Sequence, residues 1–551
     1  MTPDKSPSGS NGLRITLWFV IVGACLLLAW EIPRRGIDPD ELEHLHAACC
    51  VWRGEVPYRD FFEHHGPALY YLILPLLTTC GPELDVLWLG RALMWVCSMA
   101  TLVLVDRMAG RSGGGSSAGL LAAGLLAWTT IFHSKGIELR PDVPAMLLLM
   151  VAVSQFTYAT GGGSWRRFLV VGVLGGLAML FTQKSVVPVA GIIAAACVAR
   201  LVTRDPGTES IGTVLSRVIV PLAGGIAAVW GIASVLFGLA GAASEFWYST
   251  WYQLWIWPVR SSRWDYLRPT LAGDLTVWLA ASIEIASNLR QWRRSETWQA
   301  QRGVVVVIAA LCIVSLAFVK ATYPQFYLLW MPFLAALAAR RIVTVGAQLA
   351  ERGLVIGPIL AGEGLVLLQA MLWFRAWHAG LAGGLGRLTA FDWVNPCVLL
   401  TLAVAMCSVA YLSWKRAWGA VLVLCVGLGM FYGVLRNIDT ALWSNRDQVL
   451  AIEAVNRQVP ADGRVLDGFT GYGALRPHAW YYWWINEYSL ALIPEEEKLR
   501  LLGALRHSPP AAVLFDRHLE LLPPPVVEWI RANYESAEPD VLWLPREDSR
   551  R

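Results

Sequence analysis

At 551 residues, with 56% hydrophobic side chains, 16% charged ones, 28 tryptophans and a mean hydropathy of +0.48, the chain is excluded from the class of ordinary soluble enzymes and reads as a polytopic membrane protein. The formal net charge of +4 decides little, because in such a protein the distribution of Lys and Arg among loops matters more than their sum, and nothing in it points to nucleic acid. The ten cysteines fall mostly inside apolar runs, which argues against a disulfide framework or a zinc-knuckle spacing.

A bilayer core needs about 20 apolar residues per helical span. Runs of that kind fall near 13–32, 84–105, 117–134, 143–159, 167–182, 186–203, 215–240, 270–289, 303–319, 324–340, 353–373, 393–413 and 417–435, about thirteen in all. The first lacks a small-residue cleavage site and runs into Glu31, Pro33 and two arginines, so it reads as a retained signal anchor. When the spans are laid out in alternation, Lys5, Arg14, Arg107, Arg111, Arg166, Arg167, Arg200, Arg290, Arg340, Lys415 and Arg416 collect on one side. That side is cytoplasmic by the positive-inside rule. The N-terminus is then cytoplasmic and the C-terminal tail extracytoplasmic.

The first outer loop, 38–67, is far more polar than its surroundings: DPDELEHLHAACCVWRGEVPYRDFFEHHGP. Asp38 can cap a helix with Pro39 at its first position and Glu41 in the capping-box position. Leu42, Leu45, Cys49 and Trp52 recur on one face, which predicts a short amphipathic helix at the membrane surface, ended by Gly54. Complementation of the helix dipole explains one or two acids. It does not explain Asp40, Glu41, Glu43, His44, His46, Asp60, Glu63, His64 and His65 together. Glu41, His44 and His46, or Glu63 with His64 and His65, have the residue types to hold a divalent metal without the spacing that specifies one.

Three further polar segments share that outer face. In Glu138-Leu-Arg-Pro-Asp142, Arg140 either pairs with Glu138 or Asp142 to anchor a helix end or lines a cavity. Lys184, in the turn at 182–185, either snorkels to the headgroups or meets an anion. Lys320, Tyr323, Gln325 and Tyr327 form the third group, with an aromatic belt as the plain alternative. A carboxylate able to take a proton from a hydroxyl acceptor, facing cations that stabilise a departing phosphate, is the chemistry these groups could perform together. The tryptophan-rich loop at 245–269 reads mainly as an interfacial anchor.

The tail, 436–551, alternates helix-like runs at 447–458, 494–507 and 523–534 with strand-like runs at 463–469, 511–516 and 540–545, the pattern of a small soluble α/β domain that follows a transmembrane domain at 1–435.

The stretches DELEHLH, VPYRDFFEHHGP, ELRPDVPA, FTQK and RPHAWYYWW resemble the class C, lipid-phosphate-dependent glycosyltransferases, in particular the bacterial branch of the protein mannosyltransferase superfamily that includes the aminoarabinose lipid A transferases. The resemblance implies Asp40 as the catalytic base with Glu41 beside it, and Arg140 and Lys184 as ligands of the donor's lipid phosphate; Lys320, on the same outer face, is a further candidate ligand. Asp60, Glu63, His64, His65, Glu138, Asp142, Tyr323 and Gln325 would form the pocket rim. It implies a polyprenyl-phosphate sugar donor, a lipid, glycan or protein acceptor, the bacterial inner membrane as location and no required cofactor. The histidine-rich elements are not part of the mannosyltransferase pattern. A transporter or flippase of lipid-linked saccharides is the alternative; it would place its charges near the bilayer midplane on broken helices.

Overall fold

The computed structural model describes residues 9–111, 115–160, 164–202, 211–258, 263–292, 300–319, 323–351, 433, 436–438 and 440–547. The expected spans at 353–373 and 393–413, nearly all of 417–435, and Lys320 lie outside the described residues. The described part is mostly helical. Three of its helices are long and apolar enough to cross a membrane: Gly12–Glu31, Asp85–Ala109 and Leu215–Leu239. Shorter apolar helices accompany them.

The first nine helices place the polar groups. They are α1 (Gly9–Glu31), α2 (Pro39–Trp52), α3 (Ala68–Cys80), α4 (Asp85–Ala109), α5 (Gly115–Trp128), α6 (Thr130–Lys135), α7 (Asp142–Thr160), α8 (Trp165–Phe181) and α9 (Val186–Val202). α2 forms as its sequence predicts: Asp38 accepts from Asp40 N, its own N–H donates to the Glu41 carboxylate, and Pro39 opens the first turn. It is not a surface helix, however, because its residues from Glu41 to Cys50 are all buried. α3 was not among the expected spans. Its 13 residues reach only about 20 Å, and Pro75 sits inside it. The tryptophan-rich segment is likewise not a loop: it forms helices Ala243–Trp247 and Gln253–Ile256 around a π-helical turn, Tyr248–Tyr252, with another helix at Arg263–Gly273.

In the tail, β1 (Val465–Asp467), β2 (Ala512–Leu514), β3 (Tyr534–Ser536) and β4 (Leu542–Pro545) form a mixed sheet of order β1-β2-β4-β3. β1 and β2 run parallel with Leu466 opposite Val513, and β4 is antiparallel to both β2 and β3. Helices Arg446–Gln458, Glu495–His507 and Pro524–Asn533 match the helix-like runs. Helix Glu487–Leu492 and strand β3 were not foreseen. Leu501, Leu505, Val513, Val526 and Ile530 fill the space between sheet and helices.

The tail rests on the loop at 38–67. Phe62 N donates to Tyr481 O, Trp483 Nε1 to Phe62 O, and Arg53 Nη2 to Leu475 O. Gln448 exchanges two hydrogen bonds with the Ile37 backbone. Gly471, at φ +72°, brings its backbone so close to α2 that an added Cβ would lie 2.7 Å from that of Leu42. These contacts explain why α2 is buried on sides that a surface helix would expose.

Candidate active site at the head of the second helix

The first turn of α2 aims two acids in different directions. Glu41 points inward and receives Arg91 Nε at 2.8 Å, Arg91 Nη2 at 2.5 Å and Leu139 N at 2.9 Å. Burial is the largest influence and opposes its ionisation, but Arg91, Arg35 and the Leu139 N–H together outweigh it and hold its carboxyl below the ordinary range. Its acceptor sites face protein donors, so Glu41 fixes the helix on α4 and does not share an open site with Asp40. That geometry departs from the expected catalytic pair. In the sequence Arg91 reads as part of an apolar span; in the structure it also donates to Ile32, Arg35 and Gly36 carbonyls.

Asp40 points the other way. Its Oδ2 accepts from Arg140 Nη2 at 2.7 Å, and about a third of the side chain, 32%, stays exposed. Arg140 is buried, donates through Nη1 to Glu138 at 2.6 Å and sets Nε 3.6 Å from Asp142. Asp142 in turn takes Lys184 Nζ at 3.0 Å. Asp40, Arg140, Asp142 and Lys184 thus form one continuous chain of contacts. Arg140 makes both the local pair with Glu138 and Asp142 and the long-range contact to Asp40. With its guanidinium enclosed by acids, Arg140 is placed to hold Asp40 more directly than to meet a phosphate. Lys184 is the more open cation, 16% exposed, with Nζ 5.1 Å above the Phe326 ring; burial pulls its pKa down while Asp142 opposes the fall.

The network extends further than the sequence suggested. Lys135 bridges Asp38 at 2.6 Å and Glu138 at 3.0 Å, and Arg35 lies between Glu31 and Glu138. Lys135 stands three residues before Glu138 on one short segment, which was the available signal. Tyr323 packs at a tilt against Tyr266 with centroids 4.9 Å apart at the start of helix Pro324–Leu328, where Gln325 is half-buried.

The rest of the polar loop forms a second knot beside this chain, with Glu43 in electrostatic range of Asp40 and Arg140 and His64 in range of Lys184. Glu63 Oε1 accepts from His64 N, His65 N and His65 Nδ1 at 2.7 to 2.9 Å; burial pushes its pKa up, yet those donors pull it down to about 2. His64 stacks on Trp257 with centroids 4.6 Å apart, and His44 meets His65 edge-on. Glu43, Glu63, His64 and His65 bring ligand atoms within 4.8 Å of one another, whereas the set Glu41, His44 and His46 is dispersed: Glu41 faces Arg91 and His46 faces the tail. Both oxygens of Asp60 accept from neighbours in its own turn, Arg59 and Val56 N. Tyr58 carries φ 72°, a strained conformation for a bulky residue that costs about 1–3 kcal/mol. Its hydroxyl donates to His65 O, and Tyr481 OH donates to its carbonyl, so loop and tail hold it there together. A cavity of about 320 Å³ opens beside the knot, between the tryptophan-rich segment and the tail, with Tyr58, Phe62, Glu245, Tyr248, Tyr481 and Tyr482 among its walls. Asp40, Arg140 and Lys184 do not line it.

Residues 64–224 match the dolichyl-phosphate-mannose-protein mannosyltransferase family, a stretch that includes Arg140 and Lys184 and starts after Asp40. No curated protein matches the sequence. Among solved structures, ArnT from Cupriavidus metallidurans in the apo state aligns with a TM-score of 0.61 at 14% identity, covering 98% of each chain. The same protein bound to undecaprenyl phosphate aligns at 0.59 and 13%, again over 98% of each. The oligosaccharyltransferase of Archaeoglobus fulgidus aligns at 0.48 and 11%, over 91% of this chain and 69% of its own. The chain therefore has an ArnT-like fold and, over residues 64–224, the sequence character of the dolichyl-phosphate-mannose-protein mannosyltransferases, in line with the resemblance read from the sequence.

Proposed function

We propose that this protein is an integral membrane glycosyltransferase that moves a sugar from a polyprenyl-phosphate donor to an acceptor at the outer face of a bacterial inner membrane, with inversion at the anomeric carbon. The observation that carries this reading is the Asp40 carboxylate: one oxygen is fixed by Arg140 at 2.7 Å, the side chain stays partly open, and Lys184 ends the same chain of contacts. The lipid phosphate bound by the ArnT of matching fold supports the donor class. About thirteen spans, a cytoplasmic N-terminus and an extracytoplasmic tail at 436–551 complete the reading.

In the proposed step the acceptor hydroxyl attacks the anomeric carbon on the face opposite the phosphate, and the bond from that carbon to the phosphate oxygen breaks. The hydroxyl proton passes to Asp40. The polyprenyl phosphate leaves with one more negative charge, which Lys184 stabilises. Arg140 is a positioning residue for Asp40, and Glu41 holds α2 in place.

The test is transfer of a labelled sugar from a polyprenyl-phosphate donor in proteoliposomes, followed together with release of polyprenyl phosphate. Asp40→Asn lowers turnover by about 10²–10⁴-fold while the protein stays folded. Wild-type turnover in that variant overturns the base assignment. Failure of the wild-type protein to release polyprenyl phosphate with lipid, glycan and protein acceptors alike overturns the transferase reading.

A further inference from the structure

α2 carries His46 and Cys50 one turn apart, so both side chains project from one face. Opposite them, from the tail, stands His478. His46 Nε2 lies 3.3 Å from His478 Nδ1, Cys50 Sγ lies 3.3 Å from His46 Nε2, and Cys50 Sγ lies 3.6 Å from His478 Nδ1. Neither the Asp40 chemistry nor the Glu63 knot uses these groups.

The three separations have a specific meaning. A tetrahedral zinc ion with metal–nitrogen bonds near 2.05 Å and metal–sulfur bonds near 2.3 Å sets two nitrogens about 3.3 Å apart and a nitrogen and a sulfur about 3.6 Å apart. The observed triangle agrees with those edges to within about 0.3 Å. The tautomer also suits: His46 Nδ1 donates to Ala474 O at 2.9 Å, which leaves a lone pair on Nε2, the atom that faces the triangle. Such an outer hydrogen bond is the usual orienting device for a metal-bound imidazole. His46 and Cys50 are buried and His478 nearly so. Glu55 lies outside the triangle: its carboxylate stands 3.8 Å from His478 Nε2, the ring nitrogen turned away from His46 and Cys50.

We propose that His46, Cys50 and His478 form a zinc site that fastens the tail to the helix bearing Asp40. Binding displaces the thiol proton to solvent and forms one zinc–sulfur and two zinc–nitrogen bonds; no redox change is involved. The ion ties together residues 428 positions apart and holds the tail over α2. Its role is structural, since the site is separate from the chain that runs from Asp40 to Lys184.

The experiment uses the full chain purified in detergent without chelators. Elemental analysis finds about one zinc per wild-type chain, and about one in Cys49→Ser, whose thiol is outside the triangle. Cys50→Ala and His478→Ala retain less than about a tenth of that. Cobalt exchanged into the wild type gives tetrahedral ligand-field bands and a thiolate charge-transfer band. In wild-type protein, which needs no substitution to fold, a chelator lowers the unfolding temperature and zinc restores it. The proposal is overturned if the wild type holds no zinc after incubation with the ion, if Cys50→Ala and His478→Ala keep full stoichiometry, or if cobalt gives no thiolate band.

Discussion

Glu41 and Arg91 meet through two parallel hydrogen bonds, Nε to Oε1 and Nη2 to Oε2, with neither side chain reaching solvent. A pair of this kind contributes little net stability when intact, but removing one partner strands a buried charge. Glu41→Ala and Arg91→Ala therefore each destabilise the protein by about 3–5 kcal/mol. The double replacement Glu41→Leu with Arg91→Met costs less than the sum of the two single changes. Unfolding in detergent, followed by thermal shift, checks both statements.

Lys184 lies at the open end of the charge chain, and its replacement reads out differently from that of Asp40. Lys184→Ala lowers kcat by about 10²–10³-fold, the scale for removing one group that stabilises developing charge. Lys184→Arg recovers part of the loss because charge returns with altered geometry. Steady-state transfer kinetics with varied donor distinguish this from an effect on donor affinity alone.

The Glu63 knot gives the acid limb of stability a recognisable source. Burial raises its pKa and the His64 and His65 donors lower it, with the donors prevailing at about 2, below the free value near 4.3. A carboxyl depressed on folding contributes stability that is present above the unfolded pKa and lost as pH falls through the folded one. Stability therefore declines between about pH 4.3 and pH 2. Glu63→Gln flattens that decline and lowers stability at neutral pH. Glu43 behaves oppositely, because burial and the neighbouring Glu63 raise its pKa well above the usual range. Its contribution is full below about pH 4.3 and is lost as pH rises, so Glu43→Gln is tolerated at neutral pH. Thermal unfolding across pH checks both.

Gly66 packs directly against the end of α8: an added Cβ would lie 2.1 Å from Leu180 O. The obstacle is backbone, which cannot rotate aside. Gly66→Ala therefore costs about 1–3 kcal/mol and displaces the loop that carries His64 and His65. Lowered unfolding temperature together with a changed proteolysis pattern at 55–66 is the outcome to look for.

Much of this was legible locally. The Asp38 cap, the helix of α2 and the alternating elements of the tail follow from residues within a few positions of one another, where periodicity and capping chemistry act. The pairing of Arg140 with Glu138 and Asp142 is similarly local. Asp40 with Arg140 spans 100 positions and was reached through the family resemblance, whereas Arg91 with Glu41 had no sequence signal because one arginine near the start of an apolar helix looks like an interfacial anchor. α2 was expected at a membrane surface since amphipathicity reports one buried face and says nothing of a cover supplied from the far end of the chain. α3 and β3 escaped because one is too short for a span and the other is three residues long.

The tail's seat on α2 orders events in time. A ribosome makes α2 early, and His46 waits for Ala474, Arg53 for Leu475 and Phe62 for Tyr481 until the last fifth of the chain exists. Until then the loop is a polar segment without its roof, and Tyr58 lacks one of the partners that hold its strained backbone. Chains that stop short of residue 484 lack Trp483 or Tyr481 or both, and the loop they leave cannot complete its enclosure.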